Sequence, residues 1–152
     1  MICNILEEKP LPLYGDGKNV RDWLFVEDHC SGIWNIITQG KIEDTYNIGG
    51  DNEHTNIELV TVVCEKMALL HNKEKDHYKK LIKYVNDRPG HDKRYAIDCT
   101  KIKIEINWEQ TVDFEEGIER TIRWYIENTA WIDNIKSGEY QQWISKNYSE
   151  RN

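Results

Sequence analysis

The chain has 152 residues, which is the size of one ordinary domain, and it carries a formal net charge of −7. The 27 acidic residues outweigh the 20 basic ones, which argues against nonspecific binding to nucleic acid or to an anionic membrane, because both require a basic face. Apolar residues make up 39% of the chain. This value is below the ~45–50% typical of globular domains and indicates either a small domain with a wet surface or a piece of a larger protein.

The first part of the chain is predicted to alternate short extended segments with helices. Residues 2–8 are predicted to be a short helix that ends before Pro10, because a residue preceding proline avoids the helical region. Residues 11–14 and 20–26 are apolar and aromatic and flank the turn sequence G-D-G-K-N, so both are predicted to be extended strands. Residues 27–38 carry apolar side chains at helical spacing.

The middle of the chain contains a well-marked helix start. T-Y-N-I-G-G at 45–50 is predicted to be a short strand closed by a glycine turn. Thr55 and Glu58 then form a T-N-I-E capping box that begins a helix. Residues 71–79 are a polar connection, and residues 81–85 alternate like a strand.

The last part of the chain is predicted to be helical. A short helix over 100–108 has Thr100 as its N-cap and Asn107 as a left-handed stop. Asp113 and Glu116 form a second capping box, which begins a longer helix. Three or four isolated short strands make a poor sheet by themselves, so the predicted architecture, α/β or α+β, looks incomplete.

The stretch L-Y-G-D-G-K-N-V-R-D-W at 13–23 allows three interpretations: a phosphate-binding loop, the Y-x-x-x-K pair of short-chain dehydrogenases, or a hairpin turn that delivers Arg21 to an anion. A phosphate loop needs Ser or Thr after its lysine and a following helix, whereas Lys18 precedes Asn19 and strand-forming residues. Two glycines between Tyr14 and Lys18 disfavour the helix that a catalytic pair requires. We therefore predict a turn with an exposed lysine.

The segment D-R-P-G-H-D-K-R-Y-A-I-D at 87–98 presents a guanidinium on a restricted backbone. Arg88 precedes Pro89 and is therefore extended, and the planar fork of an arginine binds phosphate oxygens through two parallel bonds. The alternative is a surface turn with a salt-bridged arginine. His91 is either a ligand contact or a hydrogen-bonded turn residue, and Tyr140 belongs either to the core or to a face that stacks on a base.

The remaining sequence features argue against disulfides, membrane segments and metal sites. The four cysteines are scattered without a C-x-x-C pair, which favours reduced thiols in a cytoplasmic protein. No apolar run approaches the ~18–20 residues of a membrane span, and the first residues are too polar for a signal peptide. His71 and His77 have no third ligand, so no metal site is predicted.

Four segments together resemble the dTDP-glucose 4,6-dehydratase family of extended short-chain dehydrogenases. They run through nearly the whole chain, in order and at the family's spacing: P-L-P-L-Y-G-D-G-K-N-V-R-D-W-L-F-V-E-D-H (10–29), T-Y-N-I-G-G-D-N-E-H-T-N-I-E (45–58), Y-V-N-D-R-P-G-H-D-K-R-Y-A-I-D (84–98) and S-G-E-Y-Q-Q-W-I (137–144). Related nucleotide-sugar epimerases share the general pattern, but they lack D-R-P-G-H-D-x-R-Y-A-I-D.

The resemblance implies an α/β fold in which residues 1–152 form the C-terminal substrate-binding domain, mostly helical with a few short strands and without the Rossmann core. The family converts dTDP-glucose to dTDP-4-keto-6-deoxyglucose by transferring a hydride to NAD, eliminating water and returning the hydride. The G-x-x-G-x-x-G fingerprint, the helical Y-x-x-x-K and the catalytic Asp-Glu pair are not found in this chain. We therefore expect the chain alone to be inactive and not to bind NAD tightly.

The resemblance also implies which residues hold the dTDP-sugar. Arg21 and Arg88 would meet the diphosphate, and the full set of implied substrate-binding residues is Pro12, Tyr14, Arg21, Asn56, Arg88, His91 and Tyr140. Two alternatives stay open: a fragment of a nucleotide-sugar epimerase, and a noncatalytic nucleotide-sugar-binding or assembly module. The sequence does not distinguish a truncated product from one half of a split enzyme.

Partner binding follows from the same resemblance. In the family, the helix at 27–38 and the strand at 45–49 lie against the Rossmann sheet. Without that sheet, four apolar side chains would be exposed: Ile33, Trp34, Ile37 and Ile48. Because large exposed apolar patches seek partners, we expect a homo-oligomer, a rearrangement, or pairing with an N-terminal Rossmann half in cis or as a separate chain.

Overall fold

The computed structural model describes residues 1–87 and 89–138. Six α-helices are formed in this part of the chain: α1 (Ile2–Leu6), α2 (Val26–Gln39), α3 (Asn56–Leu70), α4 (Thr100–Ile106), α5 (Phe114–Glu127) and α6 (Thr129–Lys136). Four short strands accompany them: β1 (Leu11–Tyr14), β2 (Val20–Asp22), β3 (Glu53–Thr55) and β4 (Ile82–Val85). None of the helices in the described ranges is long and apolar enough to cross a membrane.

The strands form two separate two-stranded sheets. β1 pairs in parallel with β4, and β2 pairs antiparallel with β3, so that Arg21 lies opposite His54. The predicted turn between β1 and β2 is present, because Gly15 and Gly17 both adopt a left-handed backbone. It is not a hairpin, since the two strands that it joins belong to different sheets. The second strand is also shorter than predicted and ends at Asp22.

Helix α3 begins as its capping box predicts. The Thr55 hydroxyl accepts a hydrogen bond from the backbone N–H of Glu58 at 3.3 Å, and the Glu58 carboxylate accepts one from the backbone N–H of Thr55 at 2.7 Å. One face of this helix then forms the main core with α1, β1 and α5. The most buried members of this core are Ile5, Leu11, Leu13, Val60, Cys64, Met67, Ala68 and Ile122.

A second, smaller core lies between α2 and α4. It contains Cys99, Ile102, Ile106 and Trp108, with Leu24, Ile36, Tyr46 and Ile48 packed against it. Asn107 ends α4 in the predicted left-handed conformation. The predicted cap at Thr100 is wrong: Cys99 occupies that position, and the Asp98 carboxylate instead accepts from the backbone N–H of Thr100 at 2.9 Å.

The structure does not fully confirm two further predictions. Residues 45–50 form no strand, because their backbone is bonded by side chains rather than by a neighbouring strand: the Gly50 N–H, for example, donates to the Asp22 carboxylate at 2.8 Å. The α5 cap is one-sided, with the Asp113 carboxylate accepting from the Glu116 N–H at 2.8 Å.

The outward face of α2 is apolar and exposed, as expected for three of its four named residues. Ile33, Trp34 and Ile37 are 41%, 65% and 71% exposed. Ile48 departs from the expectation, because it is half-buried against the second core. An exposed tryptophan flanked by two isoleucines is the kind of surface that a partner covers.

An ion pair connects α6 to the residues after α1, and it has a testable titration. The Lys136 ammonium, followed by that of Lys9, hydrogen-bonds the Glu7 carboxylate and lowers its pKa from 4.5 to about 2. Charged Glu7 therefore stabilises the folded chain above pH 4.5, and this contribution is lost as the pH falls through about 2. In a ¹³C NMR titration we expect Lys136→Met to raise the Glu7 midpoint, and the control Lys73→Met to leave it unchanged.

Candidate functional site

Arg21 is the centre of the candidate site. Its position in the middle of β2, paired with β3, fixes its backbone. The guanidinium donates through Nη1 to the carbonyl of Val20 at 2.6 Å, and through Nη2 to the carbonyl of Asp92 at 3.0 Å and to Nε2 of His91 at 2.9 Å. All three acceptors are uncharged groups, so these bonds hold the guanidinium without neutralising it.

The bond to His91 defines the state of its imidazole. Arginine has only donors, so Nε2 of His91 must be the unprotonated nitrogen and accept the bond. The proton is then on Nδ1, which lies 2.6 Å from Oδ1 of Asp87 and donates to it. The His91 side chain is only 6% exposed, and both of its nitrogens are bonded to protein partners.

Two tyrosine rings border this polar centre. The guanidinium carbon of Arg21 lies 4.6 Å from the centroid of the Tyr95 ring, in a cation–π arrangement. The Tyr14 ring meets the His91 ring edge-on, with centroids 6.2 Å apart. Tyr14 and Tyr95 are each about half exposed, at 50% and 51%, which leaves apolar ring surface next to a positive charge.

The loop that carries His91 is attached to β2 by backbone bonds. The Val20 N–H donates to the carbonyl of Lys93 at 2.8 Å, and the Tyr95 N–H donates to the carbonyl of Val20 at 3.1 Å. Buried Asn19 donates from its side chain to the carbonyl of Asp92 at 3.2 Å. The loop is therefore held at Asp92, whose carbonyl binds Arg21, and at the residues that follow it.

The structure brings three predicted site residues together and places two more beside them. Tyr14, Arg21 and His91 form the contacts described above. Pro12 lies two residues before Tyr14 on the same exposed side of β1. The N–H of Asn56 at the start of α3 donates to the carbonyl of Asn19 at 3.0 Å. Arg88 and Tyr140 lie outside the described residues.

The second arginine of the loop has a different environment. Arg94 forms a two-pronged ion pair with Glu53, in which both N···O distances are 2.6 Å. This bond holds the pKa of the Glu53 carboxyl below its ordinary value. Because its fork is saturated by a carboxylate, Arg94 ties the loop to β3, whereas Arg21 keeps its charge for an anion.

Other features of the molecule do not converge on this site. A mainly apolar cleft of about 410 Å³ lies between α1, α3, α5 and the segment after β2, and none of the predicted site residues that the structure describes lines it. Within residues 1–87 and 89–138, no group of three or more His, Cys, Asp or Glu could hold a metal ion. Burial raises the pKa of the Cys64 thiol to about 11, so this cysteine is a core residue rather than a nucleophile.

The comparison with known protein families now adds to this geometry. A family model described as GDP-mannose 4,6 dehydratase matches residues 1–121. The chain belongs to this family. The chain is also 50% identical over 151 residues to the dTDP-glucose 4,6-dehydratase 1 of Escherichia coli strain K12. That alignment covers 99% of this chain and 42% of the relative, so the chain spans less than half of the relative's length.

Solved structures agree with this assignment. The crystal structure of the Bacillus anthracis dTDP-glucose 4,6-dehydratase in complex with NAD is 49% identical and superposes with a TM-score of 0.72, over 86% of this chain and 39% of that one. The UDP-glucose 4-epimerase of Thermotoga maritima, solved with UDP-glucose, superposes with a TM-score of 0.74 at 25% identity, over 84% of this chain and 38% of that one. The fold is therefore common to dehydratases and epimerases, whereas the identity is higher to the dehydratase.

Sequence reasoning missed three residues of the site. Tyr95 lies against Arg21, Asp87 fixes the tautomer of His91, and buried Asn19 holds the Asp92 carbonyl. Only Asp87 could have been found from the sequence, because it lies four residues before His91 in the D-R-P-G-H-D run. The contacts of Tyr95 and Asn19 join segments more than seventy positions apart, which no local pattern reveals.

Proposed function

We propose that this chain is the nucleotide-sugar-binding part of a dTDP-glucose 4,6-dehydratase, which converts dTDP-glucose to dTDP-4-keto-6-deoxyglucose. The observation that carries the proposal is the Arg21 guanidinium, oriented by His91 and the Asp92 carbonyl while keeping its charge. An arginine fork of this kind suits the oxygens of a diphosphate. The high identity to dehydratases from Escherichia coli and Bacillus anthracis supports this substrate class over that of the epimerases.

The remaining binding residues have complementary roles in this proposal. Tyr14 and Pro12 present apolar surface to the nucleotide, and Asn56 adds a polar group at the start of α3. Arg88 supplies a second positive charge to the diphosphate, and Tyr140 borders the nucleotide. Two arginines allow an acidic protein to bind a dianionic ligand, because the local charge at the site outweighs the distant net charge.

The chemistry belongs to other parts of the enzyme in this proposal. Tyr14 and Lys18 have the Y-x-x-x-K spacing, but Tyr14 ends a strand and Lys18 follows two left-handed glycines, so they are not the catalytic pair. NAD and the catalytic side chains would come from a Rossmann half, in cis or on a separate chain. The exposed apolar face of α2, with Trp34 at its centre, supports such a partner.

Calorimetric titration of the full chain with dTDP tests this function. We expect Arg21→Ala to weaken binding by about 10- to 150-fold, since hydrogen bonds to charged groups contribute about 1.5–3 kcal/mol each. Arg123→Ala is a matched control, because it removes the same charge from an exposed ion pair with Glu119 on α5 and should leave the affinity unchanged. Equal affinities for the wild type and Arg21→Ala would contradict the proposal.

The same titration separates the dehydratase from the epimerase alternative. A dehydratase site should prefer dTDP, whereas a site of the epimerase type should bind UDP at least as well. A preference for UDP would therefore replace dTDP-glucose by a uridine nucleotide sugar as the substrate class. A chain that binds neither nucleotide, while remaining folded, would support the noncatalytic assembly module instead.

A further inference from the structure

We infer that Asp87 is a positioning residue for Arg21, acting through the imidazole of His91. The affinity consequence of this inference rests on the proposed function, whereas the protonation state of His91 that it requires does not. The three groups form one continuous chain of hydrogen bonds. Oδ1 of Asp87 lies 2.6 Å from Nδ1 of His91, and Nε2 of His91 lies 2.9 Å from Nη2 of Arg21.

The carboxylate determines which imidazole nitrogen carries the proton. A charged carboxylate has no proton to donate, so Asp87 can only accept a hydrogen bond from His91. It therefore selects the imidazole form that is protonated at Nδ1. That form leaves Nε2 as an acceptor for Arg21. If Nε2 carried the proton instead, an N–H group would face the guanidinium N–H across 2.9 Å, and the bond would be replaced by repulsion.

The surroundings of Arg21 show why its orientation depends on this bond. The guanidinium carbon lies over the Tyr95 ring, and Nη2 is shared between His91 and the Asp92 carbonyl. The His91 side chain is almost fully buried, so solvent cannot easily replace it as the partner of Arg21. An arginine that is ordered before the ligand arrives avoids the entropy cost of ordering it on binding.

The inference predicts an effect opposite to that of simple charge. Removing a carboxylate near an anion site should strengthen anion binding if only Coulomb attraction matters. Positioning instead predicts that Asp87→Ala weakens dTDP binding by about three- to tenfold, the cost of ordering one long side chain. Asp87→Asn should bind at least as well as the wild type, because its amide oxygen still accepts from Nδ1 and the negative charge is gone.

The test combines imidazole ¹⁵N NMR with calorimetry on the full chain. The His91 signals are assigned from the spectrum of His91→Gln. We expect the wild type, without ligand, to show protonated Nδ1 and unprotonated Nε2, and Asp87→Asn to keep this pattern. Asp87→Ala should move the proton to Nε2 and lower the dTDP affinity. Asp133→Ala removes the same charge from an exposed position on α6 and should change neither measurement.

Each outcome decides the inference. A wild-type His91 protonated at Nε2 would overturn it without any variant, as would an unchanged pattern in folded Asp87→Ala. Unchanged or tighter dTDP binding by Asp87→Ala would also overturn it while leaving the proposed function intact. If the wild type does not bind dTDP, the proposed function fails for the isolated chain, and the NMR pattern still decides whether Asp87 orients His91.

Discussion

Replacing Asp28 with alanine is expected to lower the free energy of unfolding by about 2–5 kcal/mol, because two backbone N–H groups would lose their acceptor. Asp28 lies in the first turn of α2 and is only 4% exposed. Its carboxylate accepts from the Thr111 N–H at 3.1 Å, the Thr111 hydroxyl at 2.8 Å and the Val112 N–H at 3.0 Å. It therefore fastens the segment before α5 to the start of α2.

Urea denaturation followed by circular dichroism measures this loss. Asp133→Ala is the control, because it removes an exposed carboxylate from α6 and should change the stability by less than about 0.5 kcal/mol. Asp28→Asn should fall between the two variants, since one amide oxygen can still serve one of the N–H groups. An Asp28→Ala variant as stable as the control would show that water replaces the carboxylate at no cost.

Local signals account for most of the helices that the sequence predicts. The capping box at Thr55 and the left-handed Asn107 depend on groups within four residues of each other, so the sequence alone reveals them. The strand partners are different, because pairing depends on segments that are distant in sequence. β2 pairs with β3, some thirty positions away, rather than with β1 across the turn. The strand predicted at 45–50 is missing for the same reason: its pattern was local, and no neighbour pairs with it in the described part of the chain.

The candidate site likewise has residues that the sequence predicts and contacts that only the structure shows. The resemblance to dehydratases named Arg21 and His91, but their direct bond spans 70 positions and only the structure shows it. The structure also separates two arginines that look alike in the sequence. Arg94 is saturated by Glu53, whereas Arg21 is bonded to neutral acceptors, and this distinction depends on the antiparallel pairing of β2 with β3.

Replacing Gly17 with alanine is expected to lower the free energy of unfolding by about 2–5 kcal/mol, the sum of left-handed backbone strain and overpacking. Gly17 has φ +71°, and an added Cβ would lie 2.6 Å from Cδ2 of Leu13 and 3.1 Å from Cβ of Ile57. Its carbonyl also accepts from the Ile57 N–H at 2.9 Å. The turn after Tyr14 is therefore packed directly on the start of α3.

Gly90→Ala separates the two costs in the same urea experiment. Gly90 also has φ +71°, but an added Cβ there would meet no atom of the described residues within 4 Å, so only backbone strain of about 1–2 kcal/mol is expected. The difference between the two variants then measures the packing of Gly17 against Leu13 and Ile57. Equal losses would mean that the turn can move away from α3. In that case the position of Tyr14 beside His91 would not depend on this packing, and the glycines would be required for their backbone conformation alone.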